Sequence, residues 1–210
     1  MRRLLTLLGA AVFIGVLVYG AALLYTPPTT SLLPTSEATA ELTADPETTA
    51  QPASLGQFPS VIAENLNGEA LTLPAQFGAA YNLVVVPFDR AQQTEAIEWL
   101  ATFQALAASR PDLAYYSVAA LTDLAPTVRL LVLGGLNLGV TDDAVRARTF
   151  VLFLEDQAAF VRALGEGDTA SMRVLVVDRA GQVLHQQYGP YNPQAADTLG
   201  QAVAALPPAP

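Results

Sequence analysis

The sequence contains no cysteine and no lysine, and His185 is its single histidine. Without cysteine the chain forms no disulfide, uses no thiolate nucleophile, carries no CxxC redox pair and builds no cysteine–zinc site. It also offers no cysteine for N-terminal lipid attachment. We therefore expect a core that is stable without covalent links, and we predict no cofactor.

The polar residues form no recognisable metal or catalytic motif. His185 lies mid-strand in QVLHQQY, and the sequence has no HxxH or HExxH spacing. The acidic clusters at 142–143, 155–156 and 166–168 lack the spacing of an EF-hand calcium loop. We predict that they are solvated surface, with Asp156 capping the helix that follows it. No metal site and no catalytic residue is predicted.

Negative charge dominates the part of the chain that is expected to be globular. The net charge is −9, of which Arg2 and Arg3 contribute +2, residues 26–57 contribute −4 and the remainder contributes −7. Such a domain repels the phosphates of nucleic acids and anionic lipid headgroups. We therefore predict no nucleic-acid partner.

Residues 4–25 form a run of 22 residues without a charge. At about 1.5 Å per residue, a helix of this length crosses the roughly 30 Å hydrocarbon core of a bilayer. Two arginines precede the run and the next one is Arg90, so the positive-inside rule places residues 1–3 in the cytoplasm. This pattern predicts a single-pass signal anchor in the cytoplasmic membrane, with the domain on the extracytoplasmic side.

A cleaved signal peptide is the alternative interpretation of this N-terminal run. Its apolar core is usually shorter, about 7–15 residues, and a small-residue cleavage site follows it. Here the run ends in Tyr25-Thr26-Pro27-Pro28, which is a poor cleavage context. The sequence favours the uncleaved anchor.

Two segments are predicted to be disordered. Residues 26–57 are rich in Thr, Ser, Pro, Ala and acidic residues, and they cannot bury enough apolar surface to offset their conformational entropy. A flexible chain of this length has a reach of roughly 30 Å. The tail 207–210 is likewise expected to be unstructured, which leaves residues 58–206 as the folded domain.

Within that domain, β-branched runs alternate with segments that have helical apolar spacing. Asn67-Gly68 predicts a type I′ hairpin turn between the first two strands. The alternation predicts an α/β fold with a largely parallel sheet covered by helices, to which a terminal hairpin adds antiparallel strands. The predicted strands are 58–66, 69–73, 81–88, 113–121, 149–154, 173–177 and 182–188, and the predicted helices are 92–108, one beginning at Pro126, 156–164 and 193–206.

This order, together with three phrases, resembles the thioredoxin-like superfamily in its extended, peroxiredoxin-type form. FPSVIAENLNGEALTLPAQFG is similar to the opening hairpin of that group, and NLVVVPF is similar to the strand that leads to its active site. MRVLVVDRAGQVLHQQYGPY resembles its late β-hairpin. The similarity covers roughly residues 57–206, and it implies a mixed sheet flanked by helices.

The thiol-site positions depart from the superfamily pattern. Redox members carry cysteine just after the active-site strand, where this chain has residues 88–93, FDRAQQ. They also place a cis-proline before the late hairpin, where this chain has Met172. The resemblance therefore implies a redox-inactive member, without thiol oxidoreductase or peroxidase activity.

A longer phrase, VVPFDRAQQTEAIEWLATF, is similar to a family of ATP synthase assembly factors, the Atp10 family. That family is redox-silent and acts on a membrane-embedded subunit. The resemblance implies a partner among membrane proteins of the cell envelope. An uncharacterised thioredoxin-like family remains an equally good interpretation.

Asp89, Arg90 and Gln92 follow the predicted central strand and begin a helix. Open α/β sheets commonly bind ligands at this edge, and Arg90 is suited to a carboxylate or a phosphate there. The alternative is a local cap, in which Asp89 and Arg90 only stabilise the start of the helix. The sequence favours the cap.

The segment 128–136, VRLLVLGGL, is apolar on nearly all sides and too short to cross a bilayer. A helix of this kind is either buried or covered by a partner. We favour a core helix, and the alternative is a contact surface for a protein or a membrane that includes Leu130 and Leu133.

Together these features lead to one functional hypothesis and two alternatives. The hypothesis is a membrane-tethered, redox-inactive thioredoxin-like module that binds or helps to assemble another envelope protein. The first alternative is a small-ligand binding module that uses the former thiol-site pocket around Met172. The second is an enzyme that uses carboxylate and arginine chemistry, which no motif supports.

Overall fold

The computed structural model describes residues 55–209, so the predicted anchor and most of the predicted linker lie outside the described residues. Within 55–209, no helix is both long enough and apolar enough to cross a membrane. The strands are β1 (Val61–Asn65), β2 (Ala70–Leu73), β3 (Tyr81–Val86), β4 (Leu113–Thr122), β5 (Thr149–Leu154), β6 (Arg173–Asp178) and β7 (Val183–Tyr188). The helices are α1 (Arg90–Ala96), α2 (Trp99–Ser109), α3 (Pro126–Gly139), α4 (Asp143–Arg146), α5 (Gln157–Ala163) and α6 (Pro193–Ala204).

The seven strands form one mixed sheet in the order β2-β1-β5-β4-β3-β6-β7. Only β3, β4 and β5 are parallel neighbours, and both hairpins join the sheet in antiparallel fashion. The predicted α/β sheet flanked by helices is confirmed. The expectation of a largely parallel sheet is wrong, because the N-terminal hairpin adds an antiparallel pair at the edge opposite the terminal hairpin.

The N-terminal hairpin forms as predicted, but its turn is of another type. The Gly68 amide donates to the Asn65 carbonyl, and the Asn65 amide donates to the Glu69 carbonyl, so three residues lie inside the closing pair. Gly68 has φ +83°. This is a type I turn with a glycine bulge rather than the type I′ turn. The Asn65 side chain selects it, since its Oδ1 accepts from the amides of Asn67 and Glu69.

The single helix predicted over 92–108 is two helices, which separate at Ile97 and Glu98. There the Glu98 amide donates to Glu95 and the Leu100 amide to Ile97, in tighter turns than an α-helix makes. Trp99 and Phe103 are buried on α2. Ile97 is left 67% exposed.

The sheet separates two apolar layers, because successive side chains of β4 point to opposite faces. On one face, Val118 and Ala120 pack with Phe160 and Leu164 of α5. On the other face, Leu113 and Tyr115 pack with α2 and α6, while Ala119 and Leu121 meet α3. We call these the α5 face and the α2/α3 face.

Residues 207–209, predicted as part of a disordered tail, are held by hydrogen bonds. Arg110 donates to the carbonyls of Val203, Leu206 and Pro207, and the Ala209 amide donates to Asp112. Arg110 also makes two hydrogen bonds to the Asp112 carboxylate, at 2.7 and 2.9 Å. These bonds lower the pKa of Asp112 from 3.8 to about 2.

Candidate functional site

Three of the predicted contact residues, Asp89, Arg90 and Gln92, lie just after β3. Two of them, Asp89 and Gln92, have structural roles. The carboxylate of Asp89 caps α1 by accepting from the Gln92 amide at 2.8 Å. The Gln92 side chain is buried, accepts from the Phe88 amide at 2.9 Å and donates to the Thr169 carbonyl at 2.8 Å. The Gln92 side chain therefore links the end of β3 to the loop before β6.

Arg90 points away from this crosslink and is exposed. It forms no ion pair with any residue in the described range, so the predicted cap is made by Asp89 alone. Arg90 and Asp89 both lie at the rim of a surface groove.

Met172 does not line the predicted ligand pocket, because its side chain fills that space. It is 1% exposed and packs in the apolar cluster of the α2/α3 face with Val85, Trp99 and Leu199. The flexible thioether adapts to irregular gaps in a core. The expectation of a vacated pocket around Met172 is therefore wrong. The cis peptide bond among the described residues is Leu73–Pro74, at the end of β2.

The apolar segment 128–136 lies in α3, and α3 has no buried residue. The expectation of a core helix is therefore wrong. Leu133 is half-buried and faces the sheet with Val132 and Leu136, against Ala119 and Leu121. The outward side carries Leu130, Leu131 and Leu138, which are 71%, 76% and 84% exposed.

Polar contacts at its two ends hold α3 in place. At its start, Arg129 pairs with Asp123 and donates to the Leu124 carbonyl. Near its end, Arg146 donates to the carbonyls of Asn137 and Val140, to the carbonyl of Leu66 and to the side chain of Asn67. Arg129, Arg146 and a few half-buried side chains therefore hold α3 in place, and the outer side of this helix is apolar.

A groove runs between α1 and α3, over the C-terminal part of β4. Its wider part has a volume of about 510 Å³ and is rimmed by Asp89, Arg90, Thr94 and Thr122. It continues into a narrower cavity of about 130 Å³ beneath α2, and the two parts share Gln93, Ile97 and Leu136. Ile97, just after α1, lines one wall of the wider part. The other wall is lined by residues of α3, namely Leu131, Val132, Gly135 and Leu136.

The remaining polar candidates occupy ordinary structural positions. Asp156 caps α5 as predicted, accepting from the Ala159 amide, and Asp142 caps the short helix α4. His185 is half-buried on β7 beside Gln187, at 3.3 Å. Over residues 55–209, no three His, Asp or Glu side chains are grouped closely enough to hold a metal ion.

Sequence reasoning missed Arg173, the first residue of β6. Its side chain is completely buried, although a polar residue at the start of a strand is usually exposed. No sequence pattern marks it, since a lone arginine beside an apolar run usually lies at the surface.

Solved structures place the domain in a known fold. The chain is similar to a protein assigned to electron transfer from Aquifex aeolicus VF5, with 12% identity over 72% of this chain and 98% of that chain, and a TM-score of 0.51. It is also similar to the thioredoxin domain of a thiol-disulfide oxidoreductase from Bacteroides vulgatus, with 16% identity over 73% and 99% of the two chains and a TM-score of 0.48. A third similar structure is BsSco, a member of the Sco family of cytochrome c oxidase assembly proteins, with 15% identity over 74% and 98% and a TM-score of 0.47.

No protein-family model matches the chain, and no curated protein matches it. The structural likeness shows the fold alone, because sequence identity is low throughout. The domain has a thioredoxin-like fold, and the chain carries none of the cysteines that redox chemistry in this fold requires.

Proposed function

We propose that this chain is a redox-inactive thioredoxin-like binding module, tethered outside the cytoplasmic membrane by residues 4–25, that binds an apolar helix of another envelope protein. The observation that carries the proposal is the outward side of α3. Three leucines there are more than two-thirds exposed on a helix with no buried residue. Contiguous exposed apolar surface with a polar rim is typical of an interaction site.

The groove between α1 and α3 has the shape and chemistry for a helical partner. Ile97 on one wall and Leu131 on the other are exposed, and Leu136 of α3 also lines the groove. An amphipathic helix binds such a groove through apolar residues at i, i+3, i+4 and i+7. Asp89 and Arg90 at the rim are placed to meet polar groups that flank the apolar stripe.

A membrane protein is the favoured partner because of the predicted anchor. The linker would keep the domain within roughly 30 Å of the bilayer surface. The net negative charge of the domain opposes direct contact with anionic headgroups. A juxtamembrane helix of a neighbouring protein meets both conditions, since it is apolar and lies within reach.

We propose no catalytic activity for Asp89 and Gln92. The Asp89 carboxylate is engaged as a helix cap, and the Gln92 amide is engaged at both ends. Neither group is placed to transfer a proton to a substrate.

Photocrosslinking from α3 tests the proposal. A photoreactive residue is placed at Leu131 in the full-length chain in native membranes, and a matched one at Ala158, which is exposed on α5 on the opposite face. We expect Leu131 to crosslink reproducibly to an apolar segment of one envelope protein, mapped by mass spectrometry, and Ala158 not to. Leu130→Glu should abolish this crosslink while the chain stays folded.

Equal crosslinking from both positions, or a crosslinked peptide outside any apolar segment, would contradict the proposal. A crosslink from Leu131 to a second copy of the chain would assign the surface to self-association instead.

The narrow end of the groove favours a second candidate function, binding of a small apolar ring. The cavity of about 130 Å³ is lined by Val85, Phe103 and Tyr115 among others. An apolar cavity of similar size accepts benzene in another protein. A rise in Tm with toluene, lost in Ala119→Leu, would support this function, and an unchanged Tm would remove it.

A further inference from the structure

Arg173 is the least expected side chain in the described part of the molecule. It is 0% exposed, and neither its Nε nor its Nη2 atom has a hydrogen-bond partner within residues 55–209. Burial lowers the pKa of its guanidinium, and nearby Tyr188 and Asp168 offset this in part. A buried charge without full hydrogen bonding is costly, and such groups are often retained for binding.

The two donors without partners share one edge of the guanidinium plane. The Nε–H and Nη2–H bonds run side by side, in the arrangement that donates two parallel hydrogen bonds to one carboxylate or phosphate. Aromatic rings cover other parts of the group, since its Cζ lies 6.0 Å from the Phe88 ring centre and 5.7 Å from that of Tyr188. With the Gln186 amide nitrogen donating to the Leu164 carbonyl, its oxygen lies 3.2 Å from Nη1 and accepts from it.

A short glycine loop, residues 165–168, covers the open edge. Gly165 and Gly167 both have φ +118°, a conformation that other residues rarely adopt. A Cβ at Gly167 would lie 3.2 Å from Nη2, so the glycine leaves space beside that donor. The loop is exposed apart from half-buried Gly165, and Tyr188 Oη lies 2.7 Å from the Glu166 carbonyl oxygen.

We propose that Arg173 anchors an oxyanion site beneath the 165–168 loop, which binds a small carboxylate or phosphate through Nε and Nη2. The site goes beyond the proposed partner binding and shares Phe88 with the groove, since the Phe88 ring lies over Arg173 and also lines the groove. Arg173 alternates along β6 with Leu175 and Val177, which belong to the α5 face, whereas the groove lies on the α2/α3 face. Entry of the ligand requires the loop to move, and that movement also carries the carboxylates of Glu166 and Asp168 away from the incoming anion.

Thermal unfolding of the full-length chain in a neutral detergent tests this site with inorganic phosphate, acetate and, at equal ionic strength, chloride. Above its Kd, a ligand of the folded state should raise Tm by about 3–5 °C for each tenfold rise in its concentration. We expect this response to phosphate or acetate but not to chloride. If only phosphate or only acetate raises Tm, that ligand identifies the class of oxyanion that binds.

Three variants separate binding from folding. Arg173→Lys keeps a charge but lacks the bidentate edge, so it should lose the oxyanion response, whereas Arg162→Met on the exposed surface of α5 should keep it. Arg173→Met should have, without added anion, a Tm equal to or above that of the wild type, because it removes a costly buried charge. An identical response in the wild type and Arg173→Lys, or no response beyond that of chloride in the wild type, would overturn the proposal.

Discussion

Helices α2 and α3 pack on the same face of the sheet, but they are held there by different forces. α2 buries Trp99 and Phe103 completely in an apolar cluster. α3 has a larger share of leucine and valine, seven of its 14 residues against two of 11 in α2, yet it buries no residue, and arginines at its ends hold it by hydrogen bonds. Apolar composition alone therefore does not make a helix part of a core. The amount of sheet that is left for a helix to cover decides the outcome.

The difference has a functional meaning. Elements with few buried contacts are drawn from the low-stability end of a structure, and binding surfaces are commonly built from them. In the thioredoxin-like scaffold of this chain, Gln92 links the end of β3 to the loop before β6, and Met172 is buried in the core. Its exposed apolar surface lies instead on α3 and in the groove beside it.

The largest effect that separates the two helices is expected from truncating α2. Trp99→Ala should lower the free energy of unfolding by about 3–5 kcal/mol, because it leaves a large cavity in the core. The matched change on α3, Leu131→Ala, should stay within about 0.5 kcal/mol. Urea unfolding of both variants measures the contrast, and similar losses would show that α3 is as strongly packed as α2.

A smaller effect should follow from releasing the end of α3. Arg146→Ala removes donors to the carbonyls of Leu66, Asn137 and Val140, and we expect a loss of about 1–3 kcal/mol. Arg162→Ala, which removes only a loose surface ion pair of 3.8 Å, is the control and should be nearly neutral. If Arg146→Ala is also neutral, the half-buried leucines rather than the arginines hold the helix.

The end of α2 has a pH-dependent contact, the ion pair of Arg110 and Asp112. Because the pKa of Asp112 is lowered from 3.8 to about 2 on folding, its contribution to stability is complete above about pH 4 and is lost as the pH falls towards 2. Asp112→Asn should therefore flatten the fall in Tm between pH 4 and 2 and lower Tm at neutral pH. An unchanged profile would show that Asp112 titrates as it does in the unfolded chain.

The smallest effect on stability is expected on the outward side of α3. Leu130→Ser and Leu131→Ser should leave the free energy of unfolding within about 0.5 kcal/mol of the wild-type value, since neither side chain is buried. Leu130→Ser should also reduce crosslinking from position 131 to the envelope partner. Strong destabilisation with unchanged crosslinking would reverse the assignment of this surface.

Sequence patterns predicted the strands well because their β-branched runs are long and bounded by turn residues. The cap at Asp156 and the helix beginning at Pro126 also followed from local chemistry. The break between α1 and α2 did not, since Ile97 and Glu98 include no glycine or proline and both keep helical backbone angles. The hairpin turn differed because the Asn65 side chain outweighed the preference of Asn67-Gly68.

The candidate site was predictable only in part. An apolar segment at 128–136 signals burial against something, but periodicity does not say whether the cover belongs to the same chain. Arg173 was missed because its burial depends on a loop and two aromatic rings that lie far apart in sequence. The role of Gln92 also depends on a long-range contact, to Thr169.

Hydrogen–deuterium exchange of the full-length chain tests most directly whether α3 is a separate, weakly held surface element. We predict that the amides of α3 exchange at least about tenfold faster than those of α2 in the purified chain, and that α3 and α1, the two walls of the groove, become protected when the envelope partner is present. Equal protection of α2 and α3 in the purified chain, with no change in native membranes, would contradict the account.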